Sequence, residues 1–507
     1  MTNQNQFLKQ GYVDFKNKNY QKSCDLALKI LESGPNIDAL MLTGMSLFQI
    51  KNFSKAEYYL AKAYQLILNN HVLHLYYLET LLETNGIEIG LKIAKDIKNK
   101  SQEVKLLEIL LFEKNGQYTK AISQAETLDE SVQKKEILAW NLERINDLNK
   151  AEKFAKQGFK LNQEGYKCNV VLSKIYLRKN KPKKAKKSLK NIKLRGLSPA
   201  NLSIYFNLKG QILEKLKCYK KAFKNHTKSN EVLKQSNAYK LLKGNSYYTF
   251  DKIATIKNYF YNKPQFENLL ESKTPVVFML GFPRSGTTLL ENILNSHSLI
   301  ASIEEKPTID SILHQFLQTP DSIEKLSNLS DDEIKELQSG YLHSRKLYCS
   351  KEKPVIIDKM PLNIIHIGLL YRIFPNAKFI VSTREIRDVA LSCYFQNFAI
   401  NDAMANFLDW DTTNKYLIEI MQLGLSIINN YPINHYLVSY EKLVEDTFGE
   451  VKSIINFLGL EWQENIKDYR EKIVGKNINT PSYAKISEKI TQSRKQRWKN
   501  YRDQFND

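Results

Sequence analysis

Cysteine is scarce in this chain. Its 507 residues include five (Cys24, Cys168, Cys218, Cys349 and Cys393), far apart and with no C-x-x-C or Cys/His ligand spacing. An odd, scattered set excludes a disulfide framework or a zinc site and fits reduced thiols in a reducing compartment. No run approaches the roughly 18 consecutive apolar residues that a membrane-spanning helix needs. Met1 to Asp14 lacks the apolar core of an export signal, so a cytoplasmic location is the expectation. Glycine (19) and proline (13) are few, which leaves long stretches free to be helical. Acidic residues are outnumbered, 54 against 75 basic, for a net charge of +21. Such a balance suits anionic partners. The excess is dispersed, however, and no nucleic-acid-binding motif is present, so nucleic acid is not expected as a partner.

What is there is enough for more than one core. A chain of this length exceeds what one hydrophobic core serves, and its 42% apolar content is ordinary for globular domains. The first half repeats itself. "GYVDFKNKNYQKSCDLALKIL" is echoed by "GMSLFQIKNFSKAEYYLAKAY". An aromatic or aliphatic residue followed three positions later by a small one recurs as Tyr20/Ser23, Phe53/Ala56, Ile87/Gly90, Tyr118/Ala121, Leu148/Ala151, Pro182/Ala185 and Tyr219/Ala222. Successive small residues stand 33, 34, 31, 30, 34 and 37 positions apart. A period near 34 with a small residue early in the second helix is the tetratricopeptide signature, because two antiparallel helices approach closely only where one presents Gly, Ala or Ser. Residues 1–231 are therefore expected to be an all-α tetratricopeptide-repeat array of about seven repeats. Such arrays bind peptides or proteins, or serve as spacers and oligomerisation platforms, so a protein partner is expected and a homo-oligomer is left open. The aromatic-rich segment 232–273 reads as a helical connector that packs between the halves.

At Thr274 the period changes. "PVVFML" is a continuous apolar run ending at Gly281, and "PVIID" (354–358), "AKFIVST" (377–383) and "HYLVSY" (435–440) resemble it. Helical patterns at 363–373, 387–397 and 448–458 separate them. Alternation of this kind predicts a parallel sheet covered by helices. The loop "GFPRSGTTLLENIL" (281–294) joins the first strand to a helix, with two glycines allowing an anion close to backbone amides. Its spacing is that of the nucleoside-triphosphate P-loop, but Thr287 stands where that motif has Lys, which weighs against ATP as a phosphoryl donor. A second loop, "REIRDVALSCYF", sets Arg384 at a strand's carboxyl end and Ser392 in the next helix. Ligands of open α/β sheets bind beyond those ends, so two anion sites there imply a donor with two separated anionic groups.

"TPVVFMLGFPRSGTTLLENIL" and "FIVSTREIRDVALSCY" resemble the 5′-phosphosulfate loop and the 3′-phosphate site of sulfotransferases that use 3′-phosphoadenosine 5′-phosphosulfate (PAPS). The ungapped spacing from Arg284 through "NSHS" to "IEE", together with "DKMP" (358–361), "VSYEKLVED" (438–446) and "TPSYAKISEKI…RWKNYR" (480–502), is similar to the tyrosylprotein sulfotransferases. With the repeats, the whole resembles the tetratricopeptide-repeat sulfotransferase proteins, which implies a PAPS-dependent sulfotransferase domain at 274–507. The resemblance implies that Arg284, Ser285, Gly286, Thr287 and Thr288 hold the 5′-phosphosulfate and that Arg384 and Ser392 bind the 3′-phosphate. It implies nucleotide contacts at Tyr440 and, further on, at Ser482 and Arg497. Glu305 would be the general base, with Arg284 and Lys359 stabilising the transferring group. Glu304 is the neighbouring alternative, and no metal is called for. His297 reads as a cap or packing residue and His366 as a helix-face residue. The implied acceptor is a hydroxyl, with a protein or peptide tyrosine set against a glycan or small alcohol. A non-catalytic nucleotide-sensing scaffold and a P-loop kinase are the weaker readings.

Overall fold

The computed structural model describes residues 3–242, 244, 246–266, 269–349, 352–471 and 495–505. Helices α1 to α10 form five antiparallel hairpins, and α13 and α14 form another. They pair Asn3–Lys16 (α1) with Tyr20–Leu31 (α2), Ile37–Gln49 (α3) with Phe53–Leu66 (α4), and His71–Thr84 (α5) with Ile87–Asp96 (α6). Gln102–Lys114 (α7) pairs with Tyr118–Glu126 (α8), and Val132–Arg144 (α9) with Leu148–Leu161 (α10). Tyr166–Arg178 (α11) and Pro182–Lys190 (α12) follow, and Pro199–Lys215 (α13) pairs with Tyr219–Leu233 (α14). The first residue of every second helix is the large member of the sequence pair. Its small partner is buried throughout, and the six that are Ser or Ala have no exposed surface. Gly90 shows why: a Cβ there would lie 2.8 Å from Leu111 Cδ2. Two residues before each second helix the chain turns through the left-handed region, at Lys18, Lys51, Asn85, Gly116, Asn146, Asn180 and Lys217. That conformation ends the first helix of the hairpin. Three of the seven positions use lysine, against its intrinsic preference.

Packing divides the chain into two compact units, one up to Ile175 and one from Tyr176, with the division inside α11. The sequence boundary at 231 follows the repeat pattern; the packing boundary does not, and α12 to α14 belong with the second unit. After Asn237–Lys240 (α15), the connector holds Phe250–Tyr261 (α16), whose Ile253, Ile256, Tyr259 and Phe260 sit in the core of the second unit.

The sheet of that unit has five parallel strands in the order β2-β3-β1-β4-β5: Val277–Gly281 (β1), Ile300–Glu304 (β2), Val355–Lys359 (β3), Lys378–Thr383 (β4) and His435–Ser439 (β5). The central strand is buried along its whole length, as expected of a parallel strand covered on both faces. Phe278 and Leu280 face a core shared with α16, Asp331–Tyr348 (α19), Ile367–Ile373 (α20) and Trp410–Asn430 (α23). Between them in the chain lie Asp310–Leu317 (α18), Ile386–Tyr394 (α21) and Asp402–Ala405 (α22). Thr287–Leu294 (α17) packs on β1 and β2 and against Thr447–Leu458 (α25), while Tyr440–Glu445 (α24) follows β5 directly. The strand order reverses beside β1, so its carboxyl end is where a ligand site is expected. No described helix is long and apolar enough to cross a membrane.

Candidate active site

The turn after β1 carries its own strain. Gly281, Arg284 and Gly286 all have positive φ (147°, 74° and 103°), and for Arg284 this is a sparsely populated conformation. A Cβ on Gly286 would meet Tyr440 Cδ2 at 2.6 Å, so the loop is pressed against the start of α24 at a point where only glycine fits. Ser285, Thr287 and Thr288 are buried at the N-terminus of α17. The first-turn amides of that helix have no helical acceptor and point out of its positive end.

Arg284 leaves this turn towards β4. Its Nε donates to Ser392 Oγ on α21 at 3.1 Å, and Nη1 of Arg384 donates to the carbonyl of Arg284 at 3.0 Å. The Arg384 guanidinium lies 4.3 Å from the centre of the Tyr440 ring. The two sequence segments 281–288 and 384–392 therefore meet, and Tyr440 joins them. Burial lowers Arg284 to about 10, and the nearby Arg384 and Arg497 push the same way. A cavity of about 220 Å³ opens beside the junction, lined by Phe282, Ser285, Thr383, Arg384, Val389 and Leu417 among others.

On the other side of β1, Lys359 ends β3 with no exposed side-chain surface. Its Nζ lies 2.7 Å from Glu305 Oε1, 3.2 Å from Glu291 Oε2 and 4.0 Å from Glu304 Oε1. Burial alone would lower this lysine. The carboxylates of Glu291, Glu305 and Glu304 outweigh it and raise Lys359 to about 12. Glu305 also has positive φ (50°), and its amide donates to the Lys359 carbonyl at 2.9 Å, extending the β2–β3 ladder by one bond. Glu304 and Glu305 thus both face the lysine's end of the sheet, Glu305 closer and more exposed. Next along β3, Asp358 is buried. It accepts from Thr308 Oγ1 at 2.5 Å and Tyr341 OH at 3.1 Å, and burial pushes it up to about 6.

Arg497 is turned towards the last repeat hairpin. It pairs with both carboxylate oxygens of Glu214 on α13 and lies 5.1 Å from the Phe395 ring centre. The chain around it is tied to α21, since Asp388 accepts from the amides of Gln496 (2.7 Å) and Trp498 (2.8 Å). Ser482 lies outside the described residues. His297 is buried, with Nε2 2.9 Å from the Glu461 carbonyl, in keeping with a packing role. His366, read as a helix-face residue, is wholly buried in the short 3₁₀ turn before α20, against the Tyr248 ring.

Sequence reasoning missed Glu291 and three residues of the last hairpin. Asn207 donates to the Phe395 carbonyl at 2.7 Å and Asn230 to the Tyr394 carbonyl at 3.0 Å, so both cap the end of α21; the third is Glu214. Glu291 had a faint signal, a lone acid in the apolar run "TTLLENIL".

Comparison with known proteins bears on the same segment. Residues 275–464 match the model of the Sulfotransferase family. An uncharacterized protein of Aquifex aeolicus (strain VF5) is 29% identical over 307 residues, which cover 57% of this chain and 39% of that protein. Protein-tyrosine sulfotransferase A of Caenorhabditis elegans is 25% identical over 227 residues, covering 43% of this chain and 58% of the relative. The chain thus spans less than two thirds of the length of either relative. Among solved structures, the sulfotransferase domain of the Synechococcus PCC 7002 olefin synthase aligns at 19% identity and a TM-score of 0.30, covering 46% of this chain and 91% of that one. After its helical hairpins this chain thus carries a segment, residues 275–464, that matches the sulfotransferase family model.

Proposed function

We propose that this chain transfers a sulfuryl group from PAPS to an acceptor hydroxyl, the acceptor being a tyrosine of a protein or peptide presented with help from the repeats. The observation that carries the reading is the junction of Arg284, Ser392 and Arg384 at the carboxyl ends of β1 and β4, next to the N-terminus of α17. It offers guanidinium, hydroxyl and amide donors to anions at two points of one ligand. Two details suit a donor of that shape. Ser285 Oγ is buried and has no hydrogen-bond partner among the described residues. Gly286 lets the backbone approach where a side chain would strike Tyr440.

When bound, PAPS supplies a sulfuryl group on a phosphate leaving group. Arg284 and the backbone and hydroxyls of Ser285, Gly286, Thr287 and Thr288 would hold its 5′ end, and Arg384 and Ser392 the 3′-phosphate. Tyr440, Arg497 and Ser482 would complete the nucleotide contacts. In a loose in-line displacement, positioning and charge supply most of the catalysis. Glu305 would accept the proton of the acceptor hydroxyl, and Lys359 and Arg284 would supply positive charge where negative charge grows. The tyrosine acceptor is supported by the protein-tyrosine sulfotransferase among the relatives. Action in the cytoplasm goes with this reading.

Titration calorimetry with two ligands tests it. Adenosine 3′,5′-bisphosphate should bind tightly and ATP weakly, and equal or reversed affinities would overturn the assignment.

A further inference from the structure

Lys359 has a counter-charge that the reaction does not need as an acid or a base. We infer that Glu291 is a positioning residue for Lys359, a buried carboxylate that holds the ammonium in place and charged while Glu305 gains and loses a proton. The roles of Lys359 and Glu305 rest on the sulfotransferase reading above; the assignment of Glu291 goes beyond it.

The carboxylates that face Lys359 come from two elements: Glu304 and Glu305 lie at the end of β2, and Glu291 reaches it from α17. Asp358, the preceding residue of β3, points to the other face of the strand, against Thr308 and Tyr341. The two carboxylates within 3.2 Å differ in their access to water. The side chain of Glu305 is 39% exposed, and that of Glu291 is 4% exposed. Glu291 is also held from behind. Its Oε1 accepts from Ser302 Oγ of β2 at 2.7 Å, and Ser302 Oγ accepts from Asn295 Nδ2 at 2.6 Å. One oxygen is therefore fixed to the sheet, and the other lies buried 3.2 Å from the ammonium.

This division matters once a proton moves. In the proposed transfer the acceptor hydroxyl's proton goes to the Glu305 carboxylate, which becomes neutral. Neither Glu291 nor Lys359 exchanges a proton. Neutral Glu305 no longer balances Lys359, and a fully buried ammonium left without a counter-charge tends to lose its own proton. Glu291 prevents that. As Glu305 is neutralised, the closer pair that Lys359 keeps is the buried one at 3.2 Å, with Glu304 farther off at 4.0 Å, and the lysine's charge becomes available to the oxygens of the group in transit.

Two variants of the full chain, Glu291→Gln and Glu291→Asp, test the assignment by two readouts. The first does not depend on turnover. In protein labelled with ε-¹³C-lysine, with the Lys359 resonance identified from Lys359→Arg, the titration midpoint of Lys359 should fall by one pH unit or more in Glu291→Gln. Glu291→Asp should restore part of that fall. The second is transfer from PAPS to a tyrosine peptide. Here kcat should drop about 10- to 100-fold, its alkaline limb should move to lower pH, and the KM for PAPS should stay within about threefold. An unchanged Lys359 midpoint in Glu291→Gln overturns the inference. A shifted midpoint in a chain that neither binds adenosine 3′,5′-bisphosphate nor transfers sulfuryl groups would instead sink the sulfotransferase reading and leave the coupling of Glu291 to Lys359 standing.

Discussion

On the β4 side of β1, positive charge is met by a serine hydroxyl, a backbone carbonyl, a tyrosine ring and, at 4.0 Å from Arg384, the carboxylate of Asp388. On the β3 side it is met by carboxylates, two of them within 3.2 Å of Lys359. Contacts with hydroxyl, carbonyl and ring orient a guanidinium, and a carboxylate at 4.0 Å offsets its charge less than carboxylates at 2.7 and 3.2 Å do. Contacts with carboxylates largely cancel an ammonium. Its attraction grows when one of those carboxylates is protonated. The first arrangement suits holding a ligand, and the second suits a step in which a proton moves.

Removing charge from each side in turn should separate the two roles. Glu305→Gln should cost about 10²-fold or more in turnover and leave adenosine 3′,5′-bisphosphate affinity within about threefold. A collapse of affinity by calorimetry would mean that the two sides do not divide the work. Arg384→Ala should do the reverse, weakening bisphosphate binding about 10- to 100-fold, on the scale of a lost charge-assisted hydrogen bond. Unchanged binding would remove the β4 side from the nucleotide site.

The smallest effect concerns Asp358, whose pKa is raised to about 6 by burial. A carboxyl raised in the folded state binds its proton more tightly there than in the unfolded chain. Its contribution to stability is therefore present below about pH 4 and lost as pH rises through about 6. Asp358→Asn keeps an acceptor for Thr308 and Tyr341 and cannot ionise. Relative to the parent chain, its Tm should be higher by a few degrees at pH 8, and this advantage should shrink at pH 5 in scanning calorimetry. An advantage that does not depend on pH would show that folding leaves the pKa of Asp358 where it stands in the unfolded chain.

The repeat hairpins were legible almost to the residue, because close helix packing demands small side chains and the demand recurs with the period. Four of the five strands were legible for a different reason: β1, β3, β4 and β5 carry apolar runs next to turn residues. The strand Ile300–Glu304 was not. It lies at the sheet edge, is only partly buried, and reads as "IASIE", too short and mixed to stand out. The long helix Trp410–Asn430 also went unread, though its buried residues recur at helical spacing. Glu291 was passed over because an acid on a short helix reads as its solvent face. What buries it is a lysine 68 positions later. Asn207 and Asn230 are harder still, since their acceptors lie 188 and 164 residues away. Pattern reports local demands, and these side chains answer distant ones.

The grip of Asn207 and Asn230 on the end of α21 bears on how this molecule could be shortened. A fragment cut at Thr274, where the sequence pattern changes, would strip the cover from two main-chain oxygens and leave Arg497 without Glu214. The smallest fragment that keeps these contacts therefore begins upstream of Ser198, because the hairpin of α13 and α14 belongs to the same packing unit as the sheet.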